Sequence, residues 1–85
     1  MSKNYSISKQ IGYQIYYHRK KLGIPISIIS KEIGISPQQQ SRYERGVNRI
    51  NIDRLSQYAE YFKIDIKYFF IFLVLKKRIK PHKKH

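Results

Sequence analysis

Residues 26–44 read ISIISKEIGISPQQQSRYE. Ile29 and Ile33 stand four apart on one face of a short helix over about 26–33, and Gly34 follows at the point where a left-handed residue closes such a helix. Ser36-Pro37-Gln38-Gln39 then supplies an N-cap serine, a proline at the first helical position and a glutamine at the third, a capping-box start. A further helix is therefore expected from there to about Arg45, with Gly46 as its stop. Two short helices joined by a tight turn and crossing at about 90–120° need a small residue where they approach, a residue free to take positive φ in the turn, and apolar contacts to hold the angle. Ser30 meets the first need, Gly34 the second, and Ile29, Ile33, Ile35 and Tyr43 the third. The stretch predicts a helix-turn-helix.

On the N-terminal side, Ile11, Ile15 and Leu22 lie at helical spacing and predict a first helix from Ser8 to Leu22, stopped by Gly23. On the C-terminal side, a loop at Val47 to Asn51 leads into Leu55, Tyr58, Ala59 and Phe62, the face of a fourth helix opened by Asn51 with Asp53 in its first turn. Asp65 is placed to cap a fifth helix through Tyr68, Phe69 and Phe70. No segment alternates convincingly at period two, so the expected class is all-α: a compact five-helix domain with the helix-turn-helix at helices two and three and a C-terminal apolar extension. The apolar run from Phe70 to Leu75 fits either a helix extension or a strand. The division that follows is an N-terminal arm at 1–7, the helix-turn-helix domain at 8–70, and an apolar extension with a basic tail at 71–85.

Composition narrows the function. A chain of 85 residues makes one domain and buries only about 60–65% of the surface its unfolded form exposes, which disfavours a large enzyme with an enclosed pocket. Cysteine is absent, so disulfides, thiolate nucleophiles and sulfur-ligated zinc are excluded, and a cytoplasmic protein is the default expectation. Met1 to Gln10 is polar and does not read as a signal peptide, and the longest apolar run, Tyr68 to Leu75, is far short of the roughly 20 residues a spanning helix needs. Lys and Arg number 18 against 5 acids, for a formal charge of +13. Residues 1–65 carry +6 of this and residues 66–85 carry +7 with no acid at all. Such an excess attracts polyanions, either nucleic-acid phosphates or an anionic membrane surface.

The helix-turn-helix stretch resembles the phage-repressor-type family, the Cro/repressor or XRE-like DNA-binding domains, and the likeness extends over about Ile11 to Phe70. The resemblance implies five helices, double-stranded DNA as partner, and an internal ion pair between Arg19 near the end of helix one and Glu44 near the end of helix three. The wording Arg-Tyr-Glu-Arg-Gly at 42–46 is typical of the recognition-helix exit. Ser36 to Glu44 is also similar to the signature of MrpJ-type regulators encoded with fimbrial operons, which implies targets among adhesion and motility genes. Three positions depart from the family pattern. Ile26 stands where a phosphate-binding glutamine is usual, Gln40 where an apolar residue is usual, and Pro37 where a polar residue commonly leads the recognition helix. A buried Gln40 would need hydrogen-bond partners, since an unpaired amide costs about 1–3 kcal/mol.

The resemblance implies that helix three enters the major groove, where positions i, i+3, i+4 and i+7 share a face: here Gln38, Ser41, Arg42 and Arg45. Gln38 and Arg42 suit paired hydrogen bonds to adenine and guanine edges, with Ser41 beside them, and these three are the expected base contacts. Arg45, Asn48 and Arg49, at the helix exit and in the next loop, are the expected backbone contacts. Ser36 is expected to cap, and Gln39 and Tyr43 to face the domain.

Elsewhere the expectations are plainer. The eight tyrosines suit packing better than base stacking. His18, His82 and His85 are separated and lack a third metal ligand, and no nucleophile-base-acid set can be assembled, so neither an enzyme, a cofactor nor a small-molecule ligand is implied. Phe70, Phe72, Leu73 and Leu75 exceed what the core needs and are expected to form a homodimer interface, as repressor-type domains commonly pair on two-fold sites. Lys76 to Lys84 reads as an arm for phosphates or as a plain chain end. Two rival functions share these features. An antitoxin would dock the apolar run on a toxin, and a peripheral membrane protein would use the basic-apolar segment Phe69 to Lys84.

Overall fold

A computed structural model describes residues 6–71. Four α-helices follow one another, α1 (Ser6–Lys21), α2 (Ile26–Ile33), α3 (Pro37–Arg45) and α4 (Ile52–Phe62), and a 3₁₀ helix (Ile66–Phe70) comes after them. No strand occurs among the described residues.

The local signals act as physical chemistry requires. Ser36 accepts from the backbone N–H of Gln39 at 3.1 Å, which opens α3, with Pro37 at its first position. Asn51 opens α4 by accepting from the N–H of Arg54 at 2.8 Å. Gly34 closes α2 at φ 91°, and Gly46 closes α3 at φ 74°. In the second case the N–H of Gly46 returns to Tyr43 O and that of Val47 to Arg42 O, the paired bonds that satisfy a helix's last carbonyls. The same pair of bonds ends α4, from Lys63 to Glu60 O and from Ile64 to Ala59 O, although no glycine is present and Lys63 must take φ 60°.

The core consists of Ile11, Ile15, Ile29, Ile33, Leu55, Tyr58, Ala59, Phe62 and Phe69, drawn from every element except α3, which contributes the buried Gln40. A fully buried isoleucine such as Ile15 or Ile29 contributes about 1.5–3 kcal/mol. α3 packs on both α1 and α2. Gly12 makes the first of these contacts possible, because a Cβ built there would stand 2.2 Å from Tyr43 O and 2.9 Å from Glu44 O.

Several expectations need correction. α1 begins at Ser6, two residues inside the proposed arm, and Leu22 lies beyond its end and is 58% exposed, so it does not extend the core face. The fifth helix is a 3₁₀ turn. Asp65 accepts from the N–H of Lys67, two residues on, and Phe69 is the one fully buried side chain of this segment, with Ile66 and Phe70 half-buried against the core beside it. Among the tyrosines Tyr58 is buried and Tyr61 half-buried, but Tyr13, Tyr16, Tyr17 and Tyr68 are exposed. The first three are not covered because no described element lies over that side of α1; Tyr13 instead sits about 6 Å, ring to ring, from Tyr16 and Tyr17. Phe70 is half-buried against the core. Phe72, Leu73 and Leu75 lie outside the described residues, as does the question of helix or strand for that run.

Candidate nucleic-acid interface

α3 has two faces of opposite character. Its inner face carries Gln40, fully buried, and Tyr43 and Glu44, half-buried. Its outer face carries Gln38, Arg42 and Arg45, all exposed, with Ser41 half-buried between them. The spacing i, i+4, i+7 that groups Gln38, Arg42 and Arg45 therefore coincides with the solvent side. Ser41 and Arg45 touch one another, Arg45 Nε donating to Ser41 Oγ at 3.4 Å, which leaves the serine hydroxyl proton available to an outside acceptor. Asn48 and Arg49 are exposed in the loop after α3 and, with Ile7, Ser8, Ile11 and Ile50, line a recess of about 310 Å³ beside the start of α1. The expected base-contact and backbone-contact residues thus fall on α3 and the loop that leaves it.

The inner face of α3 is held to α1 and α4 by polar contacts. Arg19 grips Glu44 in a two-pronged ion pair, Nε to Oε2 at 2.7 Å and the second terminal nitrogen to Oε1 at 3.0 Å, while its remaining nitrogen donates to Ile24 O at 2.9 Å. Both side chains are largely sequestered, so removing one partner would strand a charge at a cost of about 3–5 kcal/mol. Gln40 Nε2 donates to Glu44 Oε2 at 2.7 Å, and the hydroxyl of Tyr58 on α4 donates to Gln40 Oε1. Gln40 thus has the partners that its position demanded. Tyr58 was visible in the sequence only as a core position; nothing local marks it as the partner of a residue 18 positions earlier. Burial, reinforced by Tyr43 and Glu44, pushes its phenol above the ordinary tyrosine range, which keeps the hydroxyl protonated and donating.

Two further contacts fix the helix-turn-helix itself. Ser30 is buried where α2 meets α3 and returns its hydroxyl to Ile26 O at 2.8 Å. Arg54 and Gln57 on α4 both donate to Ile33 O, at 3.1 and 3.2 Å, and so cap the end of α2 from outside. At the other end of α2 the first turn has Pro25 before it and no side-chain cap, and Ile26 is half-buried. Its apolar side chain offers a phosphate no hydrogen bond.

A short helix wedged across two others, bolted on its inner side by an ion pair and offering glutamine and arginine outward, defines a helix-turn-helix domain. The chain belongs to the helix-turn-helix family of the XRE type, whose model matches residues 15–69. It is similar to the uncharacterized HTH-type transcriptional regulator y4wC of Sinorhizobium fredii, 31% identical over 65 residues that make up 76% of this chain and 46% of that protein. It is also similar to an uncharacterized transcriptional regulator in the ATPase CF(0) region of Rhodospirillum rubrum, 34% identical over 75% of this chain and 59% of the relative. The chain spans about half the length of the curated relatives it matches. In three dimensions it is similar to the clp gene regulator ClgR from C. glutamicum, with a TM-score of 0.72, 17% identity, and coverage of 76% of this chain and 84% of that one. This last likeness supports the fold. No helix among the described residues is long and apolar enough to cross a membrane.

Proposed function

We propose that the chain is a transcriptional regulator that binds double-stranded DNA in a sequence-specific manner through α3. The observation that carries this is the division of α3 into a locked inner face and an exposed outer face bearing Gln38, Arg42 and Arg45. Gln38 and Arg42 read base edges, adenine and guanine being their natural partners, and Ser41 assists. Arg45, Asn48 and Arg49 hold the phosphates and set register. Ile26 leaves out one phosphate anchor, so affinity depends more on these three and on the overall charge of +13.

The active form in this proposal is a homodimer on a two-fold site, joined through Phe70 with Phe72, Leu73 and Leu75. The MrpJ-like wording of Ser36 to Glu44 points to fimbrial and motility genes as targets. The test is selection from random duplex DNA, repeated with Arg42→Ala and Lys83→Ala. The first should change or abolish the selected sequence, and the second should weaken all sequences alike and flatten the salt dependence. Equal effects on preference would refute the assignment of roles. For the dimer, light scattering of Phe72→Asp should show half the wild-type mass; an unchanged mass would remove the proposed interface.

A further inference from the structure

One of the three residues that depart from the family pattern, Gln40, is a fully buried polar side chain. Gln40 is 0% exposed, as is Tyr58. The direction of their hydrogen bonds is dictated by chemistry. Glu44 Oε2 only accepts, so the Gln40 amide must turn its nitrogen toward it; the amide oxygen then faces Tyr58, whose hydroxyl must donate. Arg19 approaches the same carboxylate from the other side. The result is one buried line of donors and acceptors from α4 through α3 to α1, with a single possible polarity.

Its placement on α3 matters. Gln40 and Glu44 stand one turn apart on the inner face, and each is held by a different neighbouring helix. The ion pair at Glu44 and the close approach of Gly12 tie α3 to α1, and the Tyr58–Gln40 bond one turn earlier ties it to a different helix, α4, so that a roll of α3 strains one tether or the other. The lever is sensitive. Side-chain atoms lie about 6 Å from a helix axis, so a roll of about 10° displaces a base-reading atom by about 1 Å. Hydrogen bonds tolerate only a few tenths of an ångström before they weaken.

We infer that Gln40 and Tyr58 are positioning residues for DNA reading, the Tyr58–Gln40–Glu44–Arg19 line setting the roll of α3 and with it the sequence selectivity of Gln38 and Arg42. This rests on the proposal that α3 reads DNA. An apolar residue at position 40 would fill the same space but set the roll by packing alone. A polar line instead sets it by direction, because each hydrogen bond is satisfied at one orientation of the helix.

The experiment uses the full chain as wild type, Gln40→Met, Tyr58→Phe and the double variant. Two quantities are read: the thermal midpoint, and the ratio of affinities for a selected duplex over a scrambled one at fixed salt, below the midpoint of each variant. Each single change strands a buried polar partner and should lower the midpoint, whereas the double change removes both halves of the Tyr58–Gln40 bond and should recover much of that loss. Selectivity should behave differently. The ratio should fall about tenfold in all three variants, the worth of one well-aligned side chain on a base edge, and should not recover in the double. A double variant with the wild-type ratio would overturn the inference, as would a ratio that tracks the midpoint. Tyr58→Phe removes one hydroxyl and no packing, so it reads selectivity in a folded chain even if Gln40→Met unfolds; an undiminished ratio there is equally fatal. If the wild type itself shows no duplex preference, the reading of α3 as a DNA reader falls and takes this inference with it. A selective wild type with unaffected variants removes the inference alone.

Discussion

Replacing Gly12 by alanine sets two known effects against each other, and the structure decides between them. Position 12 is in the interior of α1, where alanine is favoured over glycine by about 1 kcal/mol from helix propensity. On that ground alone Gly12→Ala should stabilise. The added methyl, however, would meet Tyr43 O at 2.2 Å, Glu44 O at 2.9 Å and Glu44 C at 3.1 Å, all backbone atoms of α3. A backbone carbonyl cannot swing aside as a side chain can, so α1 and α3 must separate by about 1 Å. Overpacking of this kind costs about 1–3 kcal/mol. The separation also stretches the Arg19–Glu44 contact, now 2.7 Å, and loosens Ile11 and Ile15. The net effect should be a loss of about 1–2 kcal/mol, which for a domain of this size lowers the thermal midpoint by roughly 5–15 °C. Circular dichroism melting measures it, with the exposed Lys20→Ala in the same helix as a control expected to stay within about 0.5 kcal/mol. A midpoint unchanged or raised in Gly12→Ala would show that α1 and α3 do not approach as closely as described.

Other outcomes follow from single contacts. Arg19→Met should cost about 3–5 kcal/mol in chemical denaturation by leaving Glu44 sequestered without its cation; Glu44→Gln in the same background should return part of it, and no recovery would argue against a buried pair. Lys63→Gly should raise stability by up to about 1 kcal/mol, because glycine takes the left-handed conformation that Lys63 adopts at φ 60° without the side-chain penalty; a lower midpoint would contradict that backbone geometry. His18 lies against Phe62, Tyr68 and Phe69, and burial, helped by the charge of Lys21, pulls its pKa below the ordinary 6.5. The unfolded chain then takes up this proton more readily than the folded one, so stability should fall as pH drops below 6.5, and His18→Phe should flatten that part of the midpoint-against-pH curve.

The sequence was most informative where the physics is local. The starts of α3 and α4 were legible because Ser36 and Asn51 bond to amides three residues ahead, and the closures of α2 and α3 because Gly34 and Gly46 supply positive φ within the turn itself. The close of α4 left no comparable mark, since Lys63 performs a glycine's task. The outer face of α3 was likewise readable, because helical spacing groups Gln38, Ser41, Arg42 and Arg45 and the family resemblance picks out that group as the outward one. The failures share a cause. Leu22 and the tyrosines of α1 have apolar character that fits a core, but whether a core lies over them depends on where distant elements pass.

From its own order of residues, then, this chain determined four helices, the starts of α3 and α4 and the closures of α2 and α3, because each of these is set by neighbours within about one helical turn. Folding in three dimensions decided what no window of sequence contains. It brought Tyr58 to Gln40 across 18 positions and Arg19 to Glu44 across 25, and it pressed Gly12 against the backbone of α3. It also left the segment after α4 as a 3₁₀ turn held by Phe69. Contacts of that kind depend on distances between separate helices, and those distances are fixed only when all of them pack at once.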